Sequence, residues 1–160
     1  MNLVSYGVFD TARAQRLVQA YLALDAGARG RIHLALDRFD RALRWHMPGD
    51  AVTELAISLD SLLGDGEGEL TWKVSLRSAL LVADTKSERL ERRAVIQAIY
   101  RLRSKVVHKG RAPTSIEKRG HGKLSPAELI PTAIIATAQV ISAAIYRGKL
   151  PDWFDEELGP

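Results

Sequence analysis

Cysteine is absent from all 160 residues, which excludes disulfides, thiolate metal sites and cysteine nucleophiles and fits a reducing compartment. Met1 to Gly7 lack a basic start, an apolar stretch and a small-residue cleavage site, so they do not read as a signal peptide, and the cytoplasm is the expected location. No run alternates apolar and polar residues with the period of two that half-buried strands need, and no internal repeat is evident. What is present is the balance of an ordinary globular protein, 46% hydrophobic and 26% charged. The length suits a single core that buries roughly two-thirds of the unfolded chain's surface.

Several common chemistries also lack their parts. His33, His46, His108 and His121 fall on separate segments without the close pairing of a zinc helix motif, so no metal is expected. The turn Gly64 to Gly68 lacks the Gly-Lys-Ser/Thr ending of a phosphate loop and the ligand spacing of a calcium loop, and its Asp65 and Glu67, with Glu69, repel phosphate. There is no Gly-x-Ser-x-Gly elbow and no dinucleotide fingerprint after a strand, so hydrolase and dehydrogenase readings are unsupported and no cofactor is expected.

Helical periodicity fills the space these absences leave. Asp10-Thr11 caps a first helix to about Leu24, and Asp25 to Gly30, with two glycines, breaks it. A second helix is expected over Arg31 to His46 with Ile32, Ala35, Leu36, Phe39 and Leu43 facing the core, stopped by Pro48-Gly49. Asp50 caps a third, carrying Leu55, Leu59, Leu62 and Leu63. A fourth runs from near Glu69 to Ala83, and a fifth from about Ser87, with Glu88 and Glu91 beside it, to His108 and Gly110. Arg111 to Leu124 reads as a long loop. Ser125-Pro126 then restarts a helix in the order Ser cap, Pro first. That last helix is uncharged from Leu129 to Tyr146, long enough to raise a membrane span. Glu128, Thr132, Gln139 and Ser142 nevertheless share a narrow stripe opposite Leu129, Ile134, Ala138, Ile141 and Ile145, the pattern of a core helix, so no membrane is expected. Leu150 to Phe154 form a tail packed by its aromatics. The fold class is therefore all-α, an antiparallel helical bundle.

The net charge of +4 is unevenly placed. Between Arg89 and Lys123, eleven basic residues stand against Glu91 and Glu117, a local excess of +9, whereas Asp152, Asp155, Glu156 and Glu157 make the end acidic. Such a basic segment suits a polyanion such as RNA, or else a solvated helix face with its loop. Within it lies Arg103-Ser104-Lys105-Val106-Val107-His108. A histidine moves protons near neutral pH, and a guanidinium forks onto phosphate oxygens and stabilises added charge, the two needs of 2′-hydroxyl attack on a neighbouring phosphate. The spacing alone identifies no site, because Arg41 to His46 repeats it. Five helical steps also turn a side chain by about 140°, so Arg103 and His108 converge only where the helix end loosens before Gly110 or a second chain completes the site.

Ala98 to Gly110 resembles the signature helix of the HEPN superfamily, specifically its Apea-like group. Glu54 to Leu63, Glu69 to Leu81 and the ending Gly148-Lys-Leu-Pro-Asp-Trp153 resemble that group in matching order, over roughly residues 30 to 153. The resemblance implies a HEPN-like bundle over 30–153, preceded by a helix and turn over 1–29 and followed by an acidic tail over 154–160. It also implies a homodimer whose arginine and histidine form a metal-independent ribonuclease site, of the kind used in toxin–antitoxin or anti-phage systems, with an antitoxin or nucleotidyltransferase as partner. Arg103 and His108 then become the catalytic pair, joined by Ser104 where the family usually places Asn, Asp or His. Lys105, Lys109 and Arg111 are the expected RNA contacts. Asp60 and Arg77 match acidic and basic family positions and are read as a structural ion pair, and Tyr100 as a core or interface residue. The alternative function is a catalytically inactive HEPN-like module that binds or senses RNA or dimerises.

Overall fold

The computed structural model describes residues 10–65, 68–120, 122–149, 151–153 and 157. Six helices and one short hairpin follow in order, α1 Thr11–Leu22, α2 Ala26–Arg44, α3 Pro48–Leu63, α4 Leu70–Val82, α5 Lys86–Lys109, β1 Ile116–Lys118, β2 Gly122–Leu124 and α6 Pro126–Arg147. The all-α class is as expected.

The helix starts differ from the expected ones for local reasons. Asp25 does not open a break running to Gly30 but caps α2, its carboxylate accepting from the Ala28 N–H at 2.8 Å. Gly27 and Gly30 therefore lie inside a helix, and α2 runs straight through the expected junction at residue 30. The first turn of α2 is anchored from within, because the Arg29 guanidinium donates to the carbonyls of Leu22 and Leu24, both at 2.8 Å, and so closes the end of α1. Helix α3 starts at Pro48 with Asp50 in its first turn rather than as its cap. Helix α5 is capped by Thr85 instead of Ser87, in a reciprocal box with Glu88, and Ser125 with Glu128 repeats that device ahead of α6.

The core is built from α3, α5 and α6, with α2 and α4 laid against them. Leu55, Leu59, Leu62 and Leu63 of α3, Ile96, Ile99 and Leu102 of α5, and Leu129 and Val140 of α6 are fully or almost fully buried, whereas Leu43 on α2 and Leu90 on α5 stay exposed. A buried Ser58 hydroxyl ties α3 to α2 by donating to the Ala35 carbonyl at 2.8 Å. By length and composition α6 could cross a membrane; here its buried stripe packs on α1 to α5.

Among the described residues, strand pairing occurs within the expected loop, Ile116 against Leu124 and Lys118 against Gly122. Three-residue strands are too short to show a period of two. They are pinned by contacts remote in sequence: Ile116 and Lys118 are buried, Lys118 pairs with Glu91, and Arg101 donates to the Glu117 carbonyl at 3.0 Å. Trp153 packs against the core. Phe154 and most of the acidic tail, like His121, Gly66, Glu67 and the first nine residues, lie outside the described residues.

Candidate functional site

Helix α5 carries the site because its two sides have different neighbours. Ala98, Ile99 and Leu102 point into the core, while Gln97, Tyr100, Arg101, Arg103, Ser104, Val107 and His108 line a cleft of about 660 Å³. The opposite wall comes from the start of α4, Glu69 to Trp72. The spacing explains the grouping, since positions 97, 100, 104 and 107 to 108 recur at three- and four-residue steps and so share one helical face.

Arg103, Ser104 and His108 thus line one cleft, although the helix between them is not loosened. Helix α5 stays regular through Lys109 and ends on Gly110 in the left-handed region, φ 66°, with the Gly110 N–H donating to the Val106 carbonyl at 2.8 Å. The two side chains face the same open space from successive turns; among the described residues no hydrogen bond joins them. His108 is exposed and Arg103 half-buried. The Arg103 Nε is buried without a hydrogen-bond partner, and among the described residues its guanidinium forms no ion pair closer than 4 Å. That leaves a cation without an ion pair among the described residues on the lining that His108 shares.

Below Arg103 sits a carboxylate missed as part of the site. Asp60 accepts a hydrogen bond from the Tyr100 hydroxyl and feels the Arg103 charge. Burial raises the Asp60 carboxyl above its usual value; the Tyr100 bond and Arg103 pull the other way without cancelling that rise. Tyr100 is itself pushed far up, by burial first and then by the neighbouring Asp60, so it remains a neutral donor. The signal in the sequence was Tyr100 three residues before Arg103, which puts both on one face.

The expected Asp60–Arg77 ion pair is not formed. Arg77 is buried and turns the other way, donating from Nη1 to the Leu63 carbonyl at 2.7 Å, from Nη2 to Asp65 at 3.0 Å and from Nε to Glu157 at 2.6 Å, with Trp153 5.4 Å beneath its guanidinium. Partners 12 and 80 residues away are reached only through the fold. Of the expected RNA contacts, Lys105, Lys109 and Arg111 are exposed but stand outside the cleft lining, whereas Arg101, not singled out from the sequence, lies within it.

The duplicate spacing leads nowhere comparable. Arg41 is paired with Asp37 at 3.1 Å, and His46 lies exposed beyond the end of α2. Among the described residues no three His, Asp or Glu side chains gather as metal ligands would. No protein-family model, no curated protein and no solved structure matches this chain.

Proposed function

We propose that the chain is a metal-independent RNA endonuclease of the HEPN type, of the toxin or anti-phage class, in which Arg103 and His108 are the catalytic residues. The observation that carries this reading is that both line one cleft, with the Arg103 Nε lacking a hydrogen-bond partner. His108 takes the proton from a ribose 2′-hydroxyl as its oxygen bonds to the adjacent phosphorus; the 5′-oxygen of the next nucleotide departs and is protonated, leaving a 2′,3′-cyclic phosphate. Arg103 binds the phosphate and stabilises the extra charge. Ser104 supplies a hydroxyl on the same wall. Because α5 remains helical between them, the two side chains are still offset by about 140°, which a second copy paired about a two-fold axis resolves by facing one Arg103 with the other His108.

A second reading, an RNA-binding or dimerising module without activity, is favoured by Ser104 standing where the resembled family places a stronger polar side chain. The test separates the two. Wild-type protein is expected to cut single-stranded RNA in EDTA, Arg103→Ala and His108→Ala to lower the rate by at least about a hundredfold, and His46→Ala to leave it nearly intact. A substrate with one 2′-deoxy nucleotide at the cut position should bind and resist. Cleavage of that substrate, or full activity in His108→Ala, overturns the mechanism; binding without cleavage by wild type assigns the chain to the second reading.

A further inference from the structure

Trp72 is the odd residue of the cleft. Helix α4 turns Val74, Ser75, Ser78 and Ala79 into the core, but Trp72, one step off that face, is 44% exposed and lines the wall opposite Arg103 and His108. Val107, 62% exposed, adds apolar surface from α5. Beside the hydroxyls of Thr71, Tyr100 and Ser104, the lining carries two further polar groups outside the cationic set, the half-buried amide of Gln97 and the exposed carboxylate of Glu69. An indole offers a large flat π-surface at low entropic cost, and bases stack on it whatever their sequence. The volume of the cleft falls in the roughly 300–1,000 Å³ range of sites that hold one small ligand, far short of a duplex.

We propose that this wall is a nucleobase subsite: one unpaired base of a single-stranded RNA stacks on Trp72, with Gln97 and Glu69 meeting its edge, and its sugar-phosphate is thereby laid against Arg103 and His108. The inference rests on reading the cleft as an RNA site and adds to it a base-binding subsite that requires an unpaired nucleotide, since only a base free of a helix exposes the face that stacks. Trp72 is then a binding residue, not a catalytic one.

The probe is a short single-stranded RNA carrying the protective 2′-deoxy substitution at its cut position, with tryptophan fluorescence as the readout. Binding is expected to quench wild type and to lose most of that quenching in Trp72→Phe, which should retain affinity within a few-fold. Trp72→Ala should weaken binding by about tenfold and raise KM for cleavable RNA while kcat stays close to wild type. An abasic residue at the stacked position should weaken wild-type binding similarly and add little in Trp72→Ala; a perfect duplex should not compete. Unchanged binding and KM in Trp72→Ala, with cleavage still abolished by His108→Ala, overturns the subsite and leaves the nuclease reading standing. The full pattern of stacking effects without any cleavage by wild type does the reverse. If Trp72→Ala instead dissociates a dimer on sedimentation, and RNA affinity falls only with it, Trp72 is a subunit contact and the subsite is overturned.

Discussion

Replacing Arg77 by methionine keeps most of the packing volume and removes the guanidinium from a site where its side chain is 5% exposed. Three hydrogen bonds go with it, one to the buried Leu63 carbonyl and one each to Asp65 and Glu157. Breaking a buried charged pair by removing one partner costs about 3–5 kcal/mol. Asp65 is 38% exposed and keeps its ion pair with Lys73, and Glu157 is 19% exposed and open to water, so the loss should fall near the lower end, about 3 kcal/mol. The identity of the partner is tested by a double-mutant cycle in urea unfolding. Arg77→Met and Asp65→Asn should couple by about 1 kcal/mol, whereas Arg77→Met and Asp60→Asn should add to within about 0.5 kcal/mol. Coupling to Asp60 equal to or above that to Asp65 refutes the arrangement and restores the pairing first read from the sequence.

Acid titration provides another expectation. The Thr85 and Ser125 backbone N–H groups, followed by their hydroxyls, hold the Glu88 and Glu128 carboxyls below their usual range; the stability they add is complete above the unfolded-state carboxylate value and lost as pH falls through the lowered folded values. Asp60 runs the opposite way, favouring the fold at low pH and penalising it as pH rises through its raised value. Glu88→Gln with Glu128→Gln should therefore narrow the drop in urea midpoint between pH 7 and pH 3, and Asp60→Asn should widen it; shifts of the opposite sign contradict the assigned contacts. Gly110→Ala should destabilise by about 1 kcal/mol in the same assay, because no atom within 4 Å obstructs the added methyl and the left-handed backbone alone is strained, and an unchanged midpoint would contradict that.

Most of the helical framework could be read from the chain because its signals are local. Leu55, Leu59, Leu62 and Leu63 recur at helical spacing and are all buried, and Gly110 stops α5 where a glycine should. The errors lie where a neighbouring cap overrides a breaker or where a distant residue decides. Gly27 and Gly30 look like breakers, each costing about 1 kcal/mol in a helix, but Asp25 caps that turn and Arg29 bonds back onto the end of α1. The hairpin exists because Glu91 and Arg101, on another element, hold it. At the site, the helical repeat places Tyr100 beside Arg103 and Ser104 and Ser104 beside His108, but it turns Arg103 and His108 about 140° apart, so that both line one cleft was not legible from it. Nothing in the repeat of α4 indicates that Trp72 closes the opposite wall, or that Asp60 turns to Tyr100 and leaves Arg77 to Asp65 and Glu157.

That α5 is core on one side and cleft on the other bears on how the chain can tolerate change. Leu102, fully buried, is the immediate neighbour of Arg103, and Ile99 that of Tyr100. A substitution that repacks these positions with little loss of stability can still rotate or slide the helix, and a displacement of about 1 Å at a reacting group can lower a rate a hundredfold. Inheritance of the fold and inheritance of the activity are therefore separable. If the proposed reaction holds, descendants that repack this helix can keep the bundle and lose that reaction with Arg103 and His108 both intact, so the presence of the pair in a related sequence would be a poor guide to activity unless Ile99 and Leu102 are read with it.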